Sequence, residues 1–290
     1  MPKTVLITGS SSGFGNDTAK TLAAAGHRVF ATMRDLHHRH REVAKDLQSK
    51  GIETIELDVT DDASVDAAFR ILADVTGGDG LDVLINNAGI AARGLTESFT
   101  LEQLRQLFDV NVFGIQRMMR ASLPQMRKAK SGLVINIGSV LGRLTIPFFG
   151  LFGASKFAVE ALTDSYRYEL SQFGIDVLLI QPGPFPTKLY AGLLPPADGR
   201  RVGDYGEVAA FPGIVSKVLE HVFTGANAPN PHDVAEAIAK LIDTPAGRRP
   251  HRVVVGLAFG ADTANSAIEP LQSQIVSGFG LGHLAKLNIR

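Results

Sequence analysis

The stretch from Thr4 to Gly26 most narrows what this chain can become. A short β-branched and apolar run, Thr4 to Thr8, leads into Gly9-Ser10-Ser11-Ser12-Gly13-Phe14-Gly15 and then a helical stretch, Asn16 to Ala25, which Gly26 ends. Strand, glycine-rich turn and helix in that order make the first unit of a doubly wound sheet. Gly9 and Gly13 can take the backbone angles of a tight turn and let a pyrophosphate approach the main chain, while Gly15 lets the helix pack against the strand. The helix start supplies free N–H groups and the positive end of a dipole, so this turn, with Ser11 and Phe14 in it, predicts a nucleotide site.

Arg28 to Met33 reads as the second strand, and the residue that closes it bears on the choice of dinucleotide. A carboxylate there would hold the ribose 2′-hydroxyl of NAD and repel a 2′-phosphate; Met33 followed by Arg34 favours NADP(H) over NAD(H), with Asp35 placed to neutralise Arg34 in part. The run His37-His38-Arg39-His40-Arg41 lacks a carboxylate or cysteine shell and reads as a solvated basic loop near the adenosine phosphate, so no metal site is expected.

Further strands are expected at Glu53 to Leu57, ending in Asp58-Val59, and at Leu81 to Ile85, which stops at Asn86-Asn87-Ala88-Gly89. Others follow at Leu133 to Ile137, Ile175 to Ile180 and Arg252 to Leu257. The helix after Asp58-Val59 is expected over Asp62 to Ala73, and another over Asp233 to Leu241. A single long helix is expected from Leu101 through Arg120, with Asn111 either a satisfied structural amide or part of a polar relay. Lys156 is expected to open the helix that continues through Tyr168. Residues 188–230 carry many glycines and prolines and one expected helix, Gly213 to Phe223, and read as a substrate lid. Residues 258–290 are too apolar for a disordered tail and should pack on the core, the lid or a neighbouring subunit.

At 290 residues the chain is long enough for one α/β domain, here 1–257 plus the extension. Its 29 basic residues equal its 29 acidic ones, which argues against a nucleic-acid or anionic-membrane partner. There is no cysteine, so disulfides and thiolate chemistry are excluded. No apolar run reaches the roughly 18 residues of a membrane span, and the chain opens directly into a strand; a soluble, cytoplasmic protein is expected.

These motifs, Thr8-Gly9-x-x-x-Gly13-x-Gly15, Asp58-Val59, Asn86-Asn87-Ala88-Gly89, Asn111, Ser139, Lys156 and Pro182-Gly183 with Thr187, stand in the order and spacing of the short-chain dehydrogenases/reductases, which the sequence resembles from about Lys3 to Leu257. The resemblance implies an oxidoreductase with a three-layer Rossmann-type fold, about seven parallel strands, and a homodimer or homotetramer formed through the Leu101 to Arg120 and Lys156 to Phe173 helices. It gives Ser139 the substrate carbonyl, Lys156 the nicotinamide ribose, Asn111 a water linked to Lys156, and Thr187 the carboxamide. The Ala31 to Asp35 segment is similar to that of NADP(H)-preferring hydroxysteroid and retinol dehydrogenases, which suggests a lipophilic ketone or secondary alcohol. The apolar pocket for it is expected among Val140, Leu141, Phe148, Phe149, Phe185, Leu189 and Tyr190.

One position departs from the family. Thirteen residues after Ser139 and four before Lys156, where the family carries its proton-donating tyrosine, stands Phe152. A positioned general acid contributes roughly 10² to 10⁴ in rate, about 3 to 5 kcal/mol of barrier. Three accounts stay open: a reductase disarmed or strongly attenuated by exchange of its tyrosine, a catalytically silent NADP(H)-binding sensor or scaffold, and an enzyme with another proton source. Tyr166 and Tyr168 lie too far along the helix to stand in, whereas Tyr190 and Tyr205 remain candidates.

Overall fold

The structure, a computed structural model, describes residues 1–78 and 80–289. Strands β1 (Thr4–Ile7), β2 (Arg28–Met33), β3 (Glu53–Glu56), β4 (Val83–Asn86), β5 (Gly132–Ile137), β6 (Ile175–Pro182) and β7 (Arg252–Val255) form one parallel sheet in the order β3-β2-β1-β4-β5-β6-β7. In register, Leu6 of β1 lies between Phe30 of β2 and Leu84 of β4. The order reverses between β1 and β4, and ligands of such sheets bind at the carboxyl ends of the strands flanking that switch.

Alternation along the strands sends neighbouring side chains to opposite layers. Val5, Ile7 and Val29 pack with Leu22 of α1 (Gly13–Ala24) and Leu47 of α2 (Arg41–Gln48). Leu6, Phe30 and Val134 face the other way, onto Leu72 of α3 (Asp62–Thr76). Each such fully buried side chain contributes about 1.5–3 kcal/mol relative to exposure, so pattern alone fixes the three layers. α3 is bounded as its sequence dictates: the Asp61 carboxylate accepts from the Ala63 N–H at its start, and Gly77 takes the left-handed conformation (φ 63°) at its end.

The helix expected over Leu101 to Arg120 is built differently. α4 (Leu101–Phe108) and α5 (Gly114–Ala129) are joined by a π-helical turn, Asp109–Phe113, which holds Asn111. Single π turns mark functional sites in many helices. A second correction concerns Lys156, which does not open its helix: α6 runs from Gly150 to Ser171, so Phe152 and Lys156 lie one turn apart on one face.

Residues 188–230 hold three α-helices where one helix was expected, α7 (Lys188–Ala191), α8 (Gly199–Asp204) and α9 (Phe211–Thr224), with a 3-10 turn, Gly206–Ala210, before the last. α10 (His232–Asp243) closes the α1 layer with Val234 and Ile238. The extension forms α11 (Ala261–Gly278). It is pinned to the core at both ends. Ala261 is fully buried beside Phe152 in one apolar cluster, and the Asn288 N–H donates to the Ser171 carbonyl at 2.9 Å. No helix among the described residues is long and apolar enough to cross a membrane.

Candidate active site

A cavity of about 320 Å³ opens at the carboxyl ends of β1, β2, β4, β5 and β6. Its nucleotide half is built by close backbone approach. Gly9 has φ +70°, and a Cβ on it would sit 2.8 Å from the Ala88 Cα. The Thr8 hydroxyl accepts from the N–H groups of Asn87 and Ala88, each at 3.0 Å, and the Asn87 amide donates to the Thr8 and Gly9 carbonyls at 2.8 and 3.1 Å. The two turns are therefore laced together, and a side chain on Gly15 would collide with the Asn87 amide. Gly15 does not touch the cavity. Ser11, Ser12, Gly13 and Phe14 do, at the start of α1, where Ser12 makes no side-chain cap and so leaves the first-turn N–H groups to whatever the cavity holds. These features fit a dinucleotide phosphate.

Arg34, Asp58 and Val59 line the cavity beside the ends of β2 and β3. The expectation that Asp35 partly neutralises Arg34 is corrected: the Arg34 guanidinium lies 3.6 Å from the Asp58 carboxylate, while Asp35 occupies a left-handed turn (φ 49°). His40 of the basic loop also lines the cavity, and burial, with Arg39 nearby, lowers its pKa from the ordinary imidazole value. Among the described residues no three His, Asp or Glu side chains gather as a metal site. Gly89 lines the wall after β4, and Pro182, Gly183 and Thr187 line it after β6.

At the other end stand Ser139, Phe152 and Lys156. The Ser139 hydroxyl oxygen accepts from the Leu141 N–H at 3.1 Å, which leaves its own proton for the cavity. The buried Lys156 ammonium donates to the Ile137 carbonyl at 2.8 Å, and burial brings its pKa down to about 8. The Phe152 ring centroid is 5.6 Å from that nitrogen and 6.4 Å from the Phe149 ring centroid, with the two rings packed edge to face. No ionisable atom occupies the ring's outer end.

Asn111 is not in the cavity wall. Its amide accepts from the Ile90 N–H and donates to the Ile90 carbonyl, both at 2.9 Å, and donates to the Ser155 hydroxyl at 3.0 Å; that hydroxyl donates to the Phe152 carbonyl at 2.7 Å. The residue thus ties the π turn to the loop after β4 and to α6, and every polar atom of its amide is engaged. Of the expected apolar wall, Phe185, Leu189 and Tyr190 line the cavity. Val140, Leu141 and Phe149 lie behind it in the buried cluster around Phe152. The Tyr190 ring abuts Phe223 of α9 at 5.0 Å, and burial pushes its phenol up to about 12. Ile90, Val110, Gly138, Lys188 and Gly192 line the cavity without having been singled out in the sequence. Gly138 and Ile90 directly follow strand-end motifs, a signal that would have found them.

The short chain dehydrogenase family matches residues 3–196 of the chain. The protein belongs to the short-chain dehydrogenases. This short-chain dehydrogenase is 41% identical over 187 residues to 3-ketodihydrosphingosine reductase of Bacteroides thetaiotaomicron, a match spanning 64% of the chain and 65% of that relative. It is 33% identical to retinol dehydrogenase 8 of Bos taurus over 95% of the chain and 88% of the relative. A short-chain dehydrogenase structure from Streptomyces avermitilis superposes with a TM-score of 0.77 at 31% identity, covering 97% of this chain and 98% of that one. Similar structures hold NADPH in an actinorhodin polyketide ketoreductase (TM-score 0.72, 26% identity, 90% and 97% covered) and NAD in a Burkholderia phymatum dehydrogenase (0.74, 25%, 93% and 95%). The chain is accordingly an oxidoreductase of alcohols and ketones with a nicotinamide cofactor.

Proposed function

We propose that this short-chain dehydrogenase is an NADP(H)-dependent enzyme of lipophilic ketones or secondary alcohols whose turnover is strongly attenuated by Phe152. The observation that carries this reading is the meeting of Ser139, Phe152 and Lys156 in one cavity with the Gly9 to Phe14 cradle. The bound nicotinamide would supply or receive the hydride. Ser139 would donate its free proton to the substrate carbonyl, and the two N–H bonds of Lys156 not given to Ile137 would hold the ribose hydroxyls. Arg34, largely exposed at the end of β2, would take a 2′-phosphate. The lipophilic substrate is supported by Phe185, Leu189 and Tyr190 in the wall and by relatives named for a sphingoid ketone and for retinol. Residues 188–230 would be its lid, since Leu189, Tyr190 and Gly192 reach the cavity and Phe223 backs Tyr190. A homodimer or homotetramer is supported by Phe113, Phe157 and Phe173, all exposed on or beside the π turn, α5 and α6.

Substitutes for the missing phenol are poorly placed. The Tyr205 phenol donates to exposed Glu97 at 2.9 Å, and Tyr166 donates to Gln116 at 2.5 Å. Tyr190 does line the cavity, but its high pKa makes it a weak acid. The absence of an ionisable group at Phe152 also supports a second reading, ranked behind the first, a silent NADP(H)-binding sensor or scaffold. The deciding experiment is NADPH oxidation against bulky ketones by this chain and by Phe152→Tyr, with NADPH affinity measured for both. A gain of roughly 10² to 10⁴ in kcat for the tyrosine form supports the reductase. Tight NADPH binding with no turnover by either form supports the sensor, and brisk turnover by the phenylalanine form means that the proton comes from elsewhere.

A further inference from the structure

A second cleft, of about 540 Å³, lies between α11 with the chain end and the outer face of α6 and β7. It shares no residue with the catalytic cavity. Its volume is in the range of small-molecule sites. Nothing in the proposed oxidoreductase chemistry uses it.

The ion pairs around the cleft leave two cations over. Arg143 and Arg252 both reach the buried Glu160 carboxylate, at 3.3 and 2.9 Å, and Arg252 also pairs with Asp164. Arg249 meets Asp176 at 3.1 Å, and His251 lies 3.7 Å from Glu269. That accounts for every carboxylate lining the cleft. Arg167 on α6 and Lys286 in the chain end face the same space with no carboxylate within 4 Å among the described residues.

Arg167 carries the argument. Its guanidinium packs on the Tyr168 ring, 4.6 Å from the centroid, and one Nη donates to the Tyr168 phenol at 3.0 Å. Its Nε–H is buried and has no acceptor. Buried donors are nearly always paired, and an unpaired guanidinium N–H asks for an acceptor in the fork geometry that suits carboxylate and phosphate oxygens. Stacking on Tyr168 holds the fork in place, so little freedom remains to be lost when an anion arrives. Beyond the charged part, Val276, Leu284 and Leu287 offer an apolar floor.

We propose that this cleft binds a small oxyanion, a carboxylate or a phosphate, on the Arg167 fork with Lys286 closing over it. The site is independent of the cofactor and of the proposed reaction. It also gives the C-terminal extension a task, because Lys286 and the apolar floor both belong to it.

The test is calorimetric titration of the full chain, saturated with NADPH, with inorganic phosphate in one arm and octanoate in the other. Saturation blocks the nucleotide cradle, the other place in the molecule built for phosphate. The expected result is binding in at least one arm, weakened at least tenfold in Arg167→Gln and about threefold in Lys286→Gln, and weakening as salt is raised. Phosphate binding alone identifies a phosphate-bearing ligand; octanoate alone identifies a carboxylate with an apolar tail. Lys286 is exposed, so its variant keeps the test decisive if Arg167→Gln fails to fold. No binding in either arm, or binding untouched by both substitutions, overturns the proposal.

Discussion

The two halves of the catalytic cavity are made by opposite means. The nucleotide half depends on atoms that are missing: a Cβ on Gly9 would press into Ala88, and one on Gly15 would strike Asn87. Everything needed for close approach is in place there. The half proposed to react depends on atoms that are present, the Ser139 hydroxyl and the Lys156 ammonium, and among them Phe152 brings a ring without an oxygen. On the proposed roles, binding and turnover are separable properties of this molecule, one written in backbone and the other in a few functional groups.

The sharpest way to break this contrast is a double dissociation. Phe152→Tyr is expected to raise kcat by roughly 10² to 10⁴ while leaving NADPH affinity within about twofold. Gly9→Ala should do the reverse: the left-handed backbone and the contact with Ala88 together cost about 2 to 4 kcal/mol, read as a lower Tm and lost NADPH binding. If Gly9→Ala bound NADPH normally, the cradle would not be built on close approach. Kinetics and fluorescence titration on the two variants give both answers.

Next in size is an effect on stability. The Lys156 pKa falls from its ordinary 10.5 to about 8 on burial, so the folded chain disfavours the charged form. Below about pH 8 the folded protein bears the whole penalty, on the order of 3 kcal/mol, and it is relieved as pH rises from 8 to 10.5, because there the unfolded chain binds the extra proton. Lys156→Met should be more stable than the parent at pH 7, even after losing the bond to Ile137, and the advantage should shrink toward pH 10.5. Thermal melts across that window check it, and a constant difference would sink it. Smallest is the cofactor preference: Arg34→Ser should weaken NADPH about tenfold and leave NADH nearly unchanged, since one half-solvated guanidinium distinguishes them.

The nucleotide half was the more legible in sequence, and the physics explains why. A turn that needs glycine shows glycine, so Gly9, Gly13 and the Asn87-Ala88-Gly89 turn could be placed by number, as could the seven strands from their apolar runs. The π turn at Asp109–Phe113 could not, because apolar spacing over Leu101 to Arg120 reads as one continuous helix whether or not a turn is widened. The depth of Val140, Leu141 and Phe149 was also invisible: composition says apolar, and only the packing of α6 against the loop after β5 says which side chains reach the cavity. Arg34 found its carboxylate in Asp58, 24 positions away, which local charge reading could not supply. The second cleft brings Arg167 together with Lys286, more than a hundred residues apart, with no motif at either.

Glu160 has a consequence for the reactive end. It lies one turn from Lys156 on α6 and is itself buried. Burial alone lowers the Lys156 pKa, and the Glu160 carboxylate is held instead by Arg143 and Arg252. The two arginines act as a counterweight to a charge buried in the helix that carries the active-site lysine. Removing one, as Arg252→Leu would, should leave that buried carboxylate short of a partner and lower the Tm, although Arg252 never touches the cavity.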